Sequence, residues 1–279
     1  MKVKKHKSAS QDTLEKPIPS DRQALYLELH RRHKLFVAFW RFFLLFLFLL
    51  FWELGANTGK IDSFFFSSPS RILKLFWELC KDYSIFMHIG ITLFETVVSF
   101  LLVFIISLVT ATLLWYSTKL SEILEPYLVI LNSLPKSALA PLFIVWLGTG
   151  TTTIIVAGIS VALFGSIISF YTGFKQNDEE KLTLIYTLGG SKRDAFHKVV
   201  LPGSVPILLA TTKVNIGLAL VGVIIGEFLA ARRGLGYLII YGSQVFQLNL
   251  VITSVILLCL IAMGFYKGLQ WIENRIERK

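Results

Sequence analysis

Apolar runs long enough to cross a bilayer alternate with short polar segments along most of the chain. A helix rises about 1.5 Å per residue, so about 20 apolar residues cross the roughly 30 Å of hydrocarbon. Six runs approach or exceed this length, which predicts an all-α, polytopic membrane protein with six transmembrane helices. The predicted spans are residues 35–52, 89–115, 128–147, 152–171, 207–230 and 248–269.

The segment before the first span is basic and has no apolar periodicity. We interpret residues 1–34 as a cytoplasmic tail and residues 35–279 as the transmembrane domain. A signal peptide is not indicated, because the apolar core begins only at Leu35, far from Met1. The amphipathic residues 71–83 predict a helix that lies on the opposite membrane surface.

The third span contains polar residues and two prolines. Proline removes a helical hydrogen bond, and at membrane depth the freed carbonyls need protein or water as partners. The break therefore predicts a polar path through the membrane. Lys136 either faces this path, where it would suit an anionic solute, or pairs with a backbone carbonyl at the kink. The candidate path residues are Asn132, Ser133, Pro135, Lys136, Ser137 and Pro141, with Glu227 from the fifth span.

The polar loop at about residues 173–205 has the pattern of two helices joined by glycines. Gly189 and Gly190 free the turn from β-carbon clashes. Ser191 and Asp194 have the spacing of a capping box, which marks the start of the second helix. We expect a helix pair over residues 181–198, followed by Leu201-Pro202.

Composition and charge narrow the class of protein. With 54% hydrophobic residues, 16% charged residues and a mean hydropathy of +0.65, the chain lacks the polar surface of a soluble globule. The net charge of +10 does not indicate nucleic-acid binding, since 19 of the 28 Lys and Arg residues lie on one side of the predicted spans. This bias places both termini and the 173–205 loop in the cytosol. Cys80 and Cys259 are far apart and predict neither a disulfide nor a metal site.

Four separated motifs resemble one transporter family. The first is in the polar loop, where Gly189 is followed after nine residues by Val199 and then by Leu201-Pro202. This resembles the "EAA" loop of permease subunits of ATP-binding-cassette (ABC) importers. Over residues 67–269 the chain is similar to permeases of the nitrate/sulfonate/taurine group of binding-protein-dependent importers. The other three matches are residues 67–71, residues 134–148, and residues 226–231 together with 234–239.

The resemblance implies a type I, MetI-like permease fold in the plasma or inner membrane, with no cofactor in this chain. It implies cytoplasmic ATPase subunits that bind ATP and Mg, an external binding protein or lipoprotein, and a second permease chain. We expect that second chain to be identical, and the alternative is a heterodimer with a related permease. Thr183-Leu-Ile185 replaces the customary Glu-Ala-Ala, and Glu179 and Glu180 lie one turn upstream. The coupling residues that it implies are Lys181, Leu182, Thr183, Leu184, Ile185, Leu188, Gly189, Gly190, Ser191, Val199, Leu201 and Pro202.

Catalysis by this chain is the weaker interpretation. The sequence has no phosphate-binding Gly-x-x-x-x-Gly-Lys-Ser/Thr loop, no Gly-x-Ser-x-Gly elbow and no His-Glu-x-x-His motif. The alternatives are an intramembrane enzyme and a secondary transporter. A secondary transporter would need coupling carboxylates near the midplane, whereas Glu95 and Glu227 lie toward the ends of their spans. The resemblance leaves the solute open among nitrate, sulfonates, taurine and a vitamin precursor.

Overall fold

The structure, a computed structural model, describes residues 21–59 and 62–276, and contains no strand over these residues. Residues 1–20 of the predicted cytoplasmic tail therefore lie outside the described residues. The helices are α1 (Asp21–Asn57), α2 (Ser63–Phe66), α3 (Pro69–Lys81), α4 (Ser84–Tyr116), α5 (Thr118–Ser133), α6 (Lys136–Leu147), α7 (Thr151–Lys175), α8 (Glu179–Thr187), α9 (Lys192–Ala195), α10 (Leu201–Ala230), α11 (Leu235–Gln244) and α12 (Leu248–Ile276), with a π-turn at Phe196–Val200 between α9 and α10.

The apolar runs of the sequence form helices that are long enough to cross a membrane. Five helical segments in the described part of the chain are long and apolar enough to cross a bilayer, and the α5–α6 pair makes six if counted as one span. This confirms the predicted all-α polytopic fold. The five segments are Arg32–Asn57, Ser84–Tyr116, Thr151–Lys175, Lys192–Ala230 and Leu248–Arg275.

The chain forms two compact units, which divide between Gly55 and Ala56. The first unit contains most of α1. This helix begins at Asp21, so it already runs through the later part of the predicted tail before reaching the apolar residues. The second unit contains α2 to α12 and holds the candidate site.

Close packing of α7 against α10 forms the centre of the second unit. A β-carbon at Gly222 would lie 2.8 Å from the carbonyl oxygen of Ala157 and 2.8 Å from the α-carbon of Gly158. At Gly226 it would lie 2.9 Å from the α-carbon of Ile154. Small residues allow helices to approach in this way inside membranes, where dispersion contacts contribute much of the association energy.

Polar side chains supplement this packing between helices. Asn215 on α10 donates to the hydroxyl of Ser166 on α7 at 2.7 Å. Ser99 on α4 donates to the carbonyl of Ile155 on α7 at 3.2 Å. These two bonds join α4, α7 and α10 in one buried assembly.

The predicted third span is divided into two helices that meet at an angle of 95°. The residue before a proline avoids the helical region, and Leu134 is accordingly extended, with ψ 139°. Pro135 is also extended, with ψ 100°, and occupies the position just before α6. The change of direction therefore lies at Leu134–Pro135. Pro141 lies inside α6 and does not end that helix.

Candidate functional site

The first helix of the polar loop is delimited by residues that the sequence marks clearly. The Asp178 side chain accepts a hydrogen bond from Glu180 N at 3.0 Å and caps α8. After the helix, Gly189 has φ +81°, and Gly190 N donates to the carbonyl of Ile185 at 2.9 Å. A left-handed glycine of this kind is a common way to end a helix. It turns the chain back toward the membrane helices.

The second helix begins at the predicted cap. Asp194 N donates to Ser191 Oγ at 3.2 Å, and Ser191 N donates to Asp194 Oδ2 at 3.0 Å. This reciprocal pair is the capping box expected from the sequence.

We expected the second helix to end before Leu201-Pro202, but in the structure it does not end there. It continues through the π-turn Phe196–Val200 into α10, and Leu201 N donates to the carbonyl of Phe196. Pro202 has no N–H and its ring would crowd the carbonyl four residues earlier in a regular helix. A wider π-turn just before it relieves that crowding. Val199, Leu201 and Pro202 therefore belong to a continuous helix rather than to a loop.

The apolar side of α8 is divided between two roles. Leu182 packs against the buried cluster that contains Phe174 and Phe196, and Ile185 is half-buried. Leu184 and Leu188 point away, with 57% and 76% of their surfaces exposed. Of the four apolar residues predicted for coupling, Leu184 and Leu188 are therefore the more exposed pair. A shallow surface cavity beside Leu184 is lined by Glu179, Glu180, Thr183 and Thr187.

Aromatic residues attach the second half of the loop to the membrane helices. The ring centroids of Trp115, Tyr116 and Phe174 lie 5.2 to 5.5 Å from that of Phe196 in the π-turn. The ammonium of Lys192 donates to the carbonyl of Tyr116 at 2.8 Å and lies 5.4 Å from the Trp115 ring centroid. No short-range sequence pattern predicts these contacts, since Phe174 and Phe196 are about 20 positions apart and the contacts with Trp115 and Tyr116 span about 80 positions.

The α5–α6 bend exposes most of the predicted path residues in the single chain. Asn132, Ser133, Pro135 and Ser137 are all exposed. The ammonium of Lys136 donates to the carbonyl of Asn132 at 3.1 Å and also to that of Leu131. These carbonyls lack helical donors because α5 ends at Ser133. The bond matches the alternative in which Lys136 pairs with the backbone at the kink.

Glu227, also predicted for the path, is held inside the chain near the end of α10. Its carboxylate accepts from the Thr92 hydroxyl at 2.6 Å and from Gly236 N at 2.5 Å, and only 1% of the residue is exposed. Gly234, with φ +116°, leaves room for it, since a β-carbon there would lie 2.4 Å from the carboxyl group. Glu227 therefore joins α4, α10 and the start of α11, and its partners do not belong to the bend. The Gly-Leu-Gly spacing after it was the available sequence signal.

The described helices, the bent pair and the protruding α8 define a polytopic helical membrane protein with one projecting loop. The chain belongs to the family of binding-protein-dependent transport system inner membrane components, whose family model matches residues 103–279. Members of this family are transport permease subunits and not enzymes. The same assignment confirms the resemblance read from the sequence.

Curated relatives cover most of the chain. It is 28% identical over 227 residues to a probable ABC transporter permease protein of Haemophilus influenzae, covering 81% of this chain and 92% of the relative. It is 25% identical to the formylaminopyrimidine transport permease protein ThiX of Halalkalibacterium halodurans, covering 81% and 90%. It is 26% identical to the putative aliphatic sulfonates transport permease protein SsuC of Bacillus subtilis, covering 75% and 76%.

A solved structure shares the fold. A chain of the MetNI methionine ABC transporter in an inward-facing conformation matches with a TM-score of 0.60 and 21% identity, covering 70% of this chain and 95% of that one. This likeness supports the predicted MetI-like fold.

Proposed function

We propose that this protein is the transmembrane permease subunit of an ATP-driven ABC importer and that α8 with the Gly189 turn couples it to cytoplasmic ATPase subunits. The observation that carries the proposal is the projection of α8, whose Leu184 and Leu188 are exposed while its base is attached by Leu182 and the aromatic contacts of Phe196. Exposed leucines on a polar loop are suited to enter an apolar groove on a partner. Glu179 and Glu180 beside them offer the acidic contacts that the missing Glu-Ala-Ala would otherwise supply.

The proposal includes an orientation and a set of partners. The excess of Lys and Arg on the side of the α8 loop supports a cytosolic location for this loop and both termini. ATP and Mg would be bound by the separate ATPase subunits. Solute would be delivered on the opposite side by an external binding protein or lipoprotein.

An ABC ATPase works as a pair with two docking grooves, and the chain offers one coupling helix. We therefore infer that two copies of this chain form a two-fold symmetric permease, whose interface is self-complementary. The test is co-expression with ABC ATPase genes of the source organism, followed by purification and native mass measurement. Two copies of this chain with two ATPase chains support the proposal, whereas a different six-span partner contradicts the homodimer. Failure of any ATPase to co-purify contradicts the coupling role.

For the solute, we propose a small anion such as nitrate, a sulfonate or taurine, or else a vitamin precursor. Relatives of this chain carry names that include aliphatic sulfonates and formylaminopyrimidine. Lys136 at the α5–α6 bend would supply the positive charge along the path. Solute binding by the neighbouring binding protein, measured calorimetrically over this panel, identifies the compound.

Substitutions at Lys136 distinguish the role of its charge from the role of its hydrogen bonds to the backbone. We expect Lys136→Ala to reduce uptake of the identified solute while the complex stays assembled, because the cation that attracts an anion is lost. Lys136→Gln retains a hydrogen-bond donor for the Asn132 carbonyl but no charge, and Lys136→Arg retains the charge. Uptake by each variant is measured in proteoliposomes. Normal uptake by Lys136→Ala, or a cationic solute, contradicts the anion path and leaves the backbone role.

A further inference from the structure

The end of α7 and the start of α10 meet at one side-chain amide that the sequence analysis did not single out. Nδ2 of Asn177 lies 3.2 Å from the carbonyl oxygens of both Gly173 and Phe174. These carbonyls are in the last turn of α7, where helical donors run out. The amide thus caps the helix that precedes α8.

The same amide also reaches the helix that follows α8. Nδ2 of Asn177 lies 3.3 Å from the carbonyl oxygen of Val200 and 2.9 Å from Oγ of Ser204. Ser204 is fully buried, and its hydroxyl lies 2.7 Å from the Val200 carbonyl and 3.0 Å from that of Gly173. Two amide hydrogens and one hydroxyl hydrogen therefore join acceptors on both helices. We call Asn177 and Ser204 the amide clasp.

Gly203 provides the room that this clasp needs. A β-carbon at Gly203 would lie 2.1 Å from Oδ1 of Asn177, which is too close for both groups to stay in place. Glycine inside a helix is less favourable than alanine. Its position directly against the amide gives a physical reason for a glycine here.

The clasp lies at the base of the proposed coupling helix. Asn177 precedes α8 by two residues, and Val200 is the last residue of the π-turn to which the other end of α8 leads. The helices that it joins, α7 and α10, are also in close backbone contact at Gly222 and Gly226. A displacement of α8 would thus reach both helices through one short polar connection.

We propose that Asn177 is a positioning residue that fixes α8 to α7 and α10, so that movement imposed on α8 by the ATPase is passed to these helices instead of being lost in the loop. This inference rests on the proposed coupling role of α8. It predicts that α8 and α10 keep a constant separation when nucleotide binds to the assembled complex.

The test measures that separation in the complex of the full chain with its ATPase. Spin labels are placed at Thr187 on α8 and at Ala210 on α10, both exposed, with Cys80 and Cys259 replaced by serine. Labelled chain is diluted with unlabelled chain so that one label pair is present per complex. Distances are recorded by pulsed electron paramagnetic resonance with and without a non-hydrolysable ATP analogue.

In the otherwise wild-type chain we expect one narrow distance distribution that nucleotide leaves unchanged. Asn177→Ala should broaden it at least about twofold, because a segment that loses its tertiary bonds gains local freedom. Asn177→Asp should broaden the distribution to a similar extent, since a carboxylate has the size of the amide but cannot donate a hydrogen bond. The matched control is Gln176→Ala, which changes an exposed neighbour.

Gly203→Ala supplies an independent test through non-additivity. Alone, it should broaden the distribution by displacing the amide. In the Asn177→Ala background it should add nothing, because the two residues act through one contact. Additive effects contradict the clasp.

A narrow, nucleotide-independent distribution in Asn177→Ala overturns the proposed clasp, even if the ATPase docks normally. Broadening that is accompanied by a lower melting temperature of the whole permease also overturns the proposal, since the residue would then be merely structural. Failure of the ATPase to bind the wild-type chain is a different result. It refutes the proposed coupling role and is seen before any variant is made.

Discussion

Gly189→Val is expected to abolish stimulation of the ATPase by the permease and to weaken assembly of the complex. Gly189 has φ +81°, and nothing lies within 4 Å of the position that a β-carbon would take. The penalty therefore comes from the backbone. A left-handed conformation costs an ordinary residue about 1–2 kcal/mol, and a β-branched residue is a genuine outlier there. Relief of that strain would redirect α8.

The matched control is Gly189→Asn, because asparagine enters the left-handed region more readily than other non-glycine residues. It should retain most of the ATPase stimulation and most of the assembled complex. Both quantities are measured on purified complexes, by phosphate release and by size-exclusion chromatography. Unchanged values for Gly189→Val in both assays would refute the assignment of this turn to coupling.

Gly222→Val is expected to prevent α7 and α10 from packing and so to remove most folded protein from the membrane. The added carbons would meet the backbone of Ala157 and Gly158 at 2.8 Å, and backbone atoms cannot rotate away. Overpacking of a core commonly costs about 1–3 kcal/mol, and the upper end or more is expected here. Yield of monodisperse protein and its melting temperature in detergent are the measurements.

Gly217→Val on the same helix is the control for this change. No atom lies within 4 Å of the β-carbon position at Gly217, which is exposed in the single chain. The variant should therefore fold with a melting temperature near that of the wild type. Equal instability of both variants would contradict the packing seen between α7 and α10.

These glycines also show how far a sequence can predict packing. Gly217, Gly222 and Gly226 are small residues on one span, and their residue type alone predicts that they pack closely against neighbours. The structure separates them, since Gly222 and Gly226 face α7 of the same chain whereas Gly217 is open. Spacing along a helix predicts which residues share a face, but the neighbour that covers this face depends on the whole fold.

Local signals predicted the loop better than distant ones. The capping box of Ser191 and the left-handed Gly189 follow from residues within a few positions, and both are present. The continuous helix through Leu201-Pro202 was missed because proline normally ends a helix and only the π-turn accommodates it. The contacts of Asn177 with Val200 and Ser204 join residues more than 20 positions apart. No short-range pattern reveals such a pairing.

The interlocking glycines of α7 and α10 have a consequence for any transport cycle. Because the backbones of α7 and α10 are in contact at Gly158 and Gly222, neither helix has room to slide along the other; closely packed interiors resist continuous deformation. These two helices should then travel as one rigid body. An alternation between two openings would then fall to segments with fewer such constraints, and the 95° corner between α5 and α6 would be a hinge of this kind. A change of that corner angle would open or close the path while the glycine-packed core keeps its shape.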